Sequence, residues 1–577
     1  MKPAGKNFAV EALALAAVLV LIILLYWPTL DGGWNFDDLG HIVNNPAIRL
    51  DSLSPGALAR ALTGPLPNRP LAYLSFALDY WRAGDFDPRA FHVTNLAIHL
   101  AAVVAAWIFL RLLLAAPVFK LPWPRAAALV GAAVFGLHPV QFQSVAYVVQ
   151  RMNLLAGLFT LIALGLWLYG RGRAGRARAA GFIGAGLAAA LGLLCKETAA
   201  GLALLLPALD LCLSGLAPRD WLRQRKTWLA ALAAVALIGG AALFLGGKGL
   251  SGYGQRDFTP AQRLLTQPRV VLWYASVWLF PAPQRLSLEH DFPVSRSPWS
   301  PLDTLPAAAV LLGLTIAAVV NARRAPLLCL GWLWFVGGLA LESSILPLEM
   351  VFEHRLYLPG IGLGLCAADL LRRAGARRPH GAGVILLLGL LAAASGARAR
   401  AWTDDLAVWT DAAVKAPGVS RSWANLCAVR FSRGDSLGAA SACSVAVRID
   451  PRDANAQFNL GLAFLAMEQF KAADGAFSDA LAVQPGWAEA YYQRGRARAR
   501  LGRDAEAEAD LVRATAIESG DPIYWYQLAA IRLSENKIDA GRQALAEARR
   551  NLDRADPDLR DGLEQAIRTL EERAGSH

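Results

Sequence analysis

Two adjacent carboxylates, Asp37 and Asp38, follow the first apolar run of the chain, which extends roughly from Phe8 to Leu30. That run is long enough to cross a bilayer as a helix. Carboxylates are costly at the edge of hydrocarbon, so a pair held there indicates a functional site. The pair could supply a general base or bind an ion or a phosphate-linked group. The alternative is a solvated pair, one member of which caps the following helix.

Basic side chains at the ends of other apolar runs supply the complementary charge. A lipid phosphate lies where the headgroup region begins, so cations at the ends of spans suit a lipid-phosphate site. An arginine can also hold a phosphate through its planar fork. The alternative at each position is anchoring at the membrane interface. The candidate donor-phosphate ligands are Arg69, Arg151, Lys196 and Arg355.

Several polar side chains in the same segments are candidates for substrate binding. His92 and Asn95 share one helix face at the start of a span, although they could simply bond neighbouring helices. His138 could donate to a substrate oxygen or bond a loop carbonyl. Glu197 and Glu353 could orient the cations or bond sugar hydroxyls. The predicted substrate-binding residues are His92, Asn95, His138, Glu197, Glu353 and Tyr357.

The composition is that of a membrane protein. Of the 577 residues, 55% are hydrophobic and 18% charged, which is more apolar than a soluble globular protein. The net charge of +12 does not indicate nucleic-acid binding, because the basic residues concentrate in short loops such as 171–178 and 372–380. That distribution follows the positive-inside rule. The first apolar run is too long for a cleavable signal and lacks a clear cleavage site.

The apolar runs predict about eleven spans, each long enough to cross the hydrocarbon core. A shorter run at 269–281 reads as an interfacial or re-entrant piece. With the N-terminus in the cytoplasm, the basic loops fall inside and the candidate site residues fall on the outer face. The eleven runs are 8–30, 91–114, 125–138, 152–170, 180–195, 198–213, 227–246, 305–320, 326–346, 356–371 and 382–398.

A repeat follows the spans, with a 34-residue period marked by Pro417, Pro451 and Pro485. Small and large residues recur in register over about four units, as in a tetratricopeptide repeat (TPR) array. A charged final helix, roughly 556–573, would cap the stack. We therefore predict a membrane domain over 1–400 with its first outer loop at 31–90, a connecting helix at 401–416, and a TPR domain over 417–577.

The six cysteines show no metal-ligand spacing. Cys427 and Cys443 fall on the two facing helices of one repeat. In an oxidising compartment they could form a disulfide. They could equally be two buried thiols at small-residue positions.

Taken together, the motifs resemble those of the transmembrane and TPR O-mannosyltransferases (TMTC-type) of the GT-C glycosyltransferase superfamily. The order of the motifs matches the family, and TPR repeats follow them. The chain departs from the family at Cys195 and at Gln143-Ser144. The motifs are FDDxxxIxxN (36–45), NRPL with LSFALDY (68–80), FHVTNLAIH (91–99), LHPVQFQSVAYVVQR (137–151), CKET (195–198) and EHRLYLP (353–359).

The resemblance implies an all-α polytopic helical bundle followed by a TPR α-solenoid. It implies inverting transfer of a sugar from a polyprenyl phosphate to a hydroxyl, such as Ser or Thr of a protein held by the repeats. Asp37 or Asp38 would be the base. No cofactor is required by this reading, although a divalent metal could bind the aspartate pair. The composition suggests a bacterial inner membrane, with the N-terminus cytoplasmic and the TPR domain extracytoplasmic.

Two other functions compete with this one. The chain could be a membrane-anchored TPR scaffold for an envelope or secretion assembly, which explains the repeats but leaves unexplained the charges gathered on one face. It could also polymerise or flip lipid-linked sugars. A flippase should place charge deep in mid-span, and little is found there.

Overall fold

The computed structural model of the chain describes residues 4–63, 69–245, 251–375 and 381–575; Asn68 of the NRPL motif lies outside them. Within these ranges the named elements are α-helices, short 3-10 helices and one π-helix, so the predicted all-α class is confirmed. The chain divides into two compact units, Met1–Val408 and Trp409–His577. The boundary falls within one helix, α16 of the numbering below.

The first unit is a helical bundle. Many of its helices begin at a proline, because the fixed φ of proline suits the first helical position and its missing N–H costs nothing there. Its helices are α1 (Ala4–Tyr26), α2 (Pro55–Ala61), α3 (Pro70–Ala83), α4 (Pro88–Leu114), α5 (Pro124–Leu137), α6 (Phe142–Ala146), α7 (Arg151–Arg171), α8 (Gly175–Leu193), α9 (Leu202–Ser214), α10 (Pro218–Leu245), α11 (Pro260–Leu279), α12 (Thr304–Val320), α13 (Pro326–Leu339), α14 (Pro359–Arg373) and α15 (Gly381–Ala399).

Several of these helices can cross a membrane, and the chain is a multi-pass membrane protein. Within the described residues, five are long and apolar enough, and a sixth arises if α5 and the segment Pro139–Ala146 form one span bent by 48°. The break between them lies at His138, followed by Pro139, which cannot continue the helical hydrogen bonds. The predicted count of about eleven stays a prediction. The five are Phe8–Thr29, Pro88–Leu114, Val148–Arg171, Glu197–Ser214 and Gly381–Trp402.

Close packing of α13 on α14 depends on two glycines. A Cβ built on Gly331 would lie 2.5 Å from the carbonyl oxygen of Gly362, and one built on Gly362 would lie 2.4 Å from the carbonyl oxygen of Gly331. Real Cβ atoms do not approach backbone that closely, so the two helices meet backbone to backbone. The Glu353-His354-Arg355 turn, which precedes α14, is thereby fixed beside the end of α13.

The second unit is a stack of antiparallel helix pairs, and the predicted TPR solenoid is confirmed. In two of the pairs a small residue on the first helix meets a large one on the second: a Cβ on Gly461 would lie 2.5 Å from the ring of Phe477, and one on Gly495 would lie 3.2 Å from the side chain of Leu511. The pairs are α17 (Ser420–Ser432) with α18 (Ser436–Ile449), α19 (Ala454–Ala466) with α20 (Phe470–Val483), α21 (Ala488–Arg500) with α22 (Asp504–Ile517) and α23 (Pro522–Ser534) with α24 (Ile538–Arg550); α16 (Asp405–Lys415) precedes them and α25 (Pro557–Gly575) follows.

The first repeat carries a disulfide where the second carries a packing pair. Cys427 and Cys443 are bonded, with their Cα atoms 5.3 Å apart. They stand one 34-residue period before Gly461 and Phe477, the small and large residues that pack together in the second repeat. The disulfide therefore takes the place of a van der Waals contact, and it links the two helices of the first repeat covalently.

We predict that replacing Cys427 by Ala and Cys443 by Leu leaves the repeat folded but lowers its stability. A cross-link that closes a loop of about 15 residues contributes about 3 kcal/mol by constraining the unfolded chain. The measurement is the thermal unfolding of the full chain in detergent, with and without reductant. Wild type should lose stability in reductant and the double variant should not respond. Equal sensitivity of the two proteins would contradict the prediction.

Candidate active site

Asp38 is completely buried and fastens the first loop to the segment that precedes α7. Its Oδ1 accepts a hydrogen bond from the backbone N–H of Val149 at 2.7 Å, and its Oδ2 accepts one from the N–H of Asn35 at 2.9 Å. Burial raises the pKa of Asp38 to about 8, against the opposing effect of these hydrogen bonds. Both oxygens are thus engaged and out of contact with solvent. This geometry does not support a catalytic role for Asp38.

Asp37, in contrast, is partly exposed. Its backbone N–H donates to the hydroxyl of Tyr147 at 2.9 Å. The preceding residue, Phe36, has a φ of 46°, a left-handed conformation that is uncommon for a residue with a large side chain. Backbone strain of this kind persists where the surroundings enforce it, often at functional sites. The strained turn separates the directions of the two carboxylates, so that one is buried and the other remains accessible.

His41 lies near Asp37 and near Arg69. Burial lowers the pKa of His41, and the charge of Asp37 raises it while that of Arg69 lowers it, so both groups are within electrostatic range of the ring. Its Nδ1 lies 3.0 Å from the hydroxyl of Tyr73 on α3. His41 thus connects the carboxylate to the first of the cationic residues.

Arg69 and Lys196 are each held by a carboxylate. Arg69 is paired with Glu197 by two hydrogen bonds, one of them 3.0 Å from Nε to Oε2. Lys196 is buried and its Nζ lies 3.1 Å from Oε1 of Glu342 at the end of α13. Glu197 therefore orients Arg69, which is one of the two roles predicted for it from the sequence. The structure brings the CKET segment against the start of α3.

Arg355 completes a group of three cations around His354. Burial lowers the pKa of His354, and the charges of Lys196, Arg355 and Arg69 lower it further, in that order. Arg355 donates to the backbone carbonyls of Met350 and Glu349, and its Nε has no hydrogen-bond partner among the described residues. The Arg355 side chain also bonds that of Tyr274, and Nε is the nitrogen that remains to donate to a ligand oxygen.

A narrow cavity opens beside Arg355, between α7, α9, α13 and α14. Its polar end carries Arg355, Glu342 and Asn153, whereas most of its remaining wall is aliphatic or aromatic, including Leu202 and Trp334. The cavity is small, about 30 Å³, which is room for about one water molecule, and in it a cation lies next to an apolar wall.

Arg151, predicted to bind phosphate, is fully engaged in the protein interior. Its guanidinium pairs with Asp79 at 2.6 Å and donates from Nε to Asn95 at 2.7 Å. It also donates to the carbonyls of Ser75 and Phe91. The side chain has no exposed surface. The structure therefore gives it a positioning role: it clamps α3, α4 and the start of α7 together.

Three other predicted substrate ligands are likewise buried and bonded to protein. Asn95 donates to the carbonyls of Val145 and Val148, at 3.1 and 3.2 Å, besides accepting from Arg151. His92 Nε2 lies 3.1 Å from the carbonyl of Gly32. His138 Nε2 lies 2.9 Å from the carbonyl of Trp278 and its ring stacks on that indole. These contacts are the ones expected if the three side chains bond neighbouring helices and loop carbonyls, which was the alternative to substrate binding.

Tyr357 and Glu353 also face the interior. The hydroxyl of Tyr357 lies 3.0 Å from Nδ1 of His99. Glu353 is fully buried; its Oε1 accepts from the N–H of Ser287 and lies 3.0 Å from Nε2 of His290. Oε1 of Glu353 therefore fixes the loop after α11, whereas its Oε2 has no hydrogen-bond partner among the described residues. Of the predicted ligands, Arg69, Lys196 and Arg355 surround His354, with Glu197 paired to Arg69, and Asp37 lies with Arg69 near His41.

The aspartate pair does not form a recognisable metal site. Among the described residues, no group of three His, Cys, Asp or Glu side chains is arranged to hold a metal ion. Asp38 also has both oxygens occupied by backbone N–H groups.

The sequence is similar to those of several proteins named protein O-mannosyl-transferases. Human protein O-mannosyl-transferase TMTC4 is 31% identical over 154 residues, 24% of this chain and 21% of that protein. Drosophila melanogaster Tmtc2 is 34% identical over 229 residues, 37% of this chain and 24% of that protein. Drosophila melanogaster Tmtc3 is 24% identical over 550 residues, 81% of this chain and 58% of that protein.

The chain is similar to the TMTC protein O-mannosyl-transferases. The family resemblance inferred from the ordered motifs is thereby confirmed. The aligned part spans about a quarter or less of the length of the first two relatives. No protein-family model matches the chain.

Solved structures of TPR proteins align with about a third of the chain. The TPR protein TTC0263 of Thermus thermophilus is 25% identical and covers 32% of this chain and 94% of its own, with a TM-score of 0.25. YrrB, a TPR protein with an unusual peptide-binding site, is 20% identical and covers 29% and 86%, with a TM-score of 0.24.

Several site residues were missed in the sequence. His41 stands four residues after Asp37, a spacing that could have drawn attention to it in the FDD motif. His354 lies inside the EHR motif, between two residues that were chosen. Asp79 and Glu342 carry no local signal, because their importance arises from cations distant in the chain. His290 is hidden for the same reason.

We predict that Asp38→Asn destabilises the TMTC-like membrane unit, whereas Asp37→Asn does not. An amide offers one acceptor oxygen where the carboxyl group offers two, so one buried backbone N–H faces an NH₂ group instead, at a cost of about 1–3 kcal/mol. The measurement is the midpoint of thermal unfolding in detergent. Equal midpoints for the two variants would contradict the assignment of Asp38 as a structural carboxylate.

The pH dependence provides a second test of Asp38. Because burial raises its pKa to about 8, the folded state keeps a proton that the unfolded chain releases near pH 4. The contribution of this group to stability is therefore largest at low pH and falls as pH rises toward about 8. Comparing unfolding midpoints between about pH 5 and 8.5, the Asp38→Asn variant should show a flatter profile than wild type. An unchanged profile would contradict this reading.

Proposed function

We propose that the protein is a GT-C type membrane glycosyltransferase, which moves a sugar from a polyprenyl-phosphate donor to a hydroxyl acceptor, Ser or Thr of a protein. The observation that carries the proposal is the partly exposed carboxylate of Asp37, which shares the neighbourhood of His41 with Arg69, while Arg69, Lys196 and Arg355 surround His354. The similarity to named protein O-mannosyl-transferases supports transfer of a sugar.

In this proposal the donor phosphate binds at the polar end of the cavity. Arg355 would donate to a phosphate oxygen through its Nε, which lacks a partner among the described residues. Lys196 and Arg69, each paired with a carboxylate, would add positive charge around the leaving phosphate. The cavity, at about 30 Å³, is too small for the lipid chain, which would lie outside it against the apolar faces of the spans. Preorganised cations of this kind stabilise the charge that develops on the leaving group.

Asp37 would serve as the general base. It would take the proton of the acceptor hydroxyl as the oxygen attacks the anomeric carbon and the bond from that carbon to the phosphate oxygen breaks. A single displacement inverts the anomeric centre. The neighbouring His41 and Tyr147 would hold the carboxylate in place, and Asp38 would set the backbone that carries it.

We further propose that the site faces the extracytoplasmic side of a bacterial inner membrane. The disulfide between Cys427 and Cys443 supports an oxidising compartment for the repeats. The positive-inside rule supports the same side for the aspartate pair and the cations. A polyprenyl-phosphate sugar would then meet acceptor proteins that have crossed the membrane.

A non-catalytic TPR scaffold is the second candidate function. The repeats favour it as much as they favour a transferase. The scaffold does not account for the strained turn at Phe36 or for a buried guanidinium Nε without a partner among the described residues. Features of both kinds are found often at functional sites, which favours the transferase.

We predict that Asp37→Asn reduces the rate of sugar transfer by at least about a hundredfold. Removal of a general base lowers a rate by between about a hundredfold and about ten-thousandfold. Purified wild type and variant would be incubated in detergent with a panel of radiolabelled polyprenyl-phosphate sugars and acceptor peptides. Release of the sugar into peptide or water would be followed.

The matched control is Asp51→Asn, which neutralises an exposed carboxylate of the same loop. It should transfer at the wild-type rate. Turnover retained by Asp37→Asn would remove Asp37 as the base. No turnover by wild type with any donor, together with capture of an envelope protein by the full chain, would favour the scaffold.

A further inference from the structure

The loop after α11 is fastened to the turn before α14 by one buried amide. Gln143 donates from Nε2 to the carbonyl of Leu288 at 3.1 Å, and its Oε1 accepts from the backbone N–H of His354 at 2.7 Å. Gln143 has no exposed surface. The loop and the turn therefore keep a fixed spacing, although they lie far apart in the chain.

Two polar atoms at this junction are buried and have no partner. Oε1 of Glu353 accepts from the backbone N–H of Ser287 at 2.5 Å, so the two residues are in contact. Oε2 of Glu353 and the hydroxyl Oγ of Ser287, in contrast, form no hydrogen bond among the described residues. Glu353 and Ser287 are 0% and 1% exposed. Buried polar atoms nearly always have partners, so two exceptions on contacting residues indicate a position where ligand groups bind.

His290 continues this junction toward the protein surface. Its Nε2 lies 3.0 Å from Oε1 of Glu353, and its side chain is 11% exposed. The half-buried indole of Trp273 meets the imidazole edge to face, with the ring centroids 4.8 Å apart. We call Ser287, His290 and Glu353 the loop–turn group. The group extends from fully enclosed atoms to a side chain that reaches solvent.

The chemistry of the two unpartnered atoms matches that of hydroxyl groups. A carboxylate oxygen only accepts hydrogen bonds, whereas a serine hydroxyl both donates and accepts. One ligand hydroxyl can therefore donate to Oε2 of Glu353, and a second can bond Oγ of Ser287 in either sense. An anionic ligand would instead place like charges side by side, which is unfavourable. The loop–turn group therefore suits a neutral molecule with neighbouring hydroxyls.

The loop–turn group adjoins the three cations of the candidate site. Glu353 is followed directly by His354, which is surrounded by Arg69, Lys196 and Arg355. Consecutive Cα atoms are about 3.8 Å apart. In a polyprenyl-phosphate sugar a single oxygen joins the phosphate to the sugar ring. A phosphate among the cations would therefore bring its sugar close to the loop–turn group.

We propose that the loop–turn group binds hydroxyls of the sugar on the donor, with Ser287 as a specificity-determining residue. This inference rests on the proposed transferase function, and it names the sugar class: a neutral sugar with free hydroxyls on two neighbouring carbons. A uronic acid is disfavoured, because its carboxylate would lie beside that of Glu353. Glu353 takes part through Oε2, while its Oε1 holds the loop and orients His290.

The test compares two kinds of radiolabelled probe in equilibrium binding to the full chain in detergent, without an acceptor peptide. One is plain polyprenyl phosphate, which can contact only the cations. The others carry mannose, glucose, galactose or glucuronic acid on the phosphate. Ser287→Ala should weaken binding of the best neutral glycosylated probe by about fivefold, the loss expected for one neutral hydrogen bond, and leave binding of plain polyprenyl phosphate within about twofold.

Ser287→Ala is a mild change, because the backbone N–H that bonds Glu353 remains. The matched control is Ser422→Ala in α17 of the repeats, which also removes a buried hydroxyl without a partner among the described residues. It should bind every probe as wild type does. Both variants should unfold at the wild-type midpoint, so that a loss of binding reports the missing hydroxyl.

A second variant tests the charge of the group. Wild type should bind the glucuronic acid probe at least about tenfold more weakly than the best neutral probe, because like charges meet. Glu353→Gln removes that charge and should narrow the difference to about threefold or less. An unchanged difference would remove Glu353 from the sugar site.

Failure of the sugar site and failure of the transferase give different results. The sugar site is overturned if Ser287→Ala binds all glycosylated probes as wild type does, or loses plain and glycosylated probes equally. That result, with plain polyprenyl phosphate still bound in a manner that depends on Arg355, would retain the phosphate site. Binding of a glycosylated probe that depends on Ser287, in a protein that transfers no sugar, would retain the sugar site and reject the transferase.

Discussion

The site depends on one buried carboxylate. Asp38 receives backbone N–H groups from Asn35 in its own loop and from Val149, more than a hundred residues later. A buried acceptor of this kind is expensive to leave unsatisfied, so the two segments must stay together. This constraint forces the left-handed turn at Phe36 and leaves the neighbouring Asp37 accessible. The most prominent motif in the sequence therefore contains two residues with different tasks.

A second buried network extends the same principle. Arg151 satisfies Asp79, Asn95 and two carbonyls, and Asn95 in turn satisfies two carbonyls of the segment before α7. Buried charges of this type are tolerated only when paired and fully hydrogen-bonded. The network holds the amphipathic helix α3 against the bundle, and Arg69 stands immediately before that helix. The position of Arg69, a cation of the site, is thus set by Arg151, a cation whose guanidinium nitrogens are all bonded within the protein.

The sequence was sufficient for the large features, because each has a period or a composition of its own. The spans follow from apolar runs and the repeats from a 34-residue period. The candidate cluster was only partly predictable. Three residues that have the chemistry of ligands instead form hydrogen bonds with backbone groups: Arg151, His138 and Glu353. No local sequence pattern reveals those backbone partners. Glu342 could not be found, because its partner Lys196 lies 146 residues away.

In the function proposed above, a lipid phosphate binds at the cationic end of the cavity. The most direct measurement is equilibrium binding of a radiolabelled polyprenyl phosphate to purified wild type, to Arg355→Gln, and to Arg285→Gln, whose arginine lies outside the cavity lining. All three proteins would first be checked for a single folded species by size exclusion. We expect about tenfold or greater weakening for Arg355→Gln alone, the loss expected for a charged hydrogen bond. Equal affinity for all three proteins would contradict phosphate binding at this site.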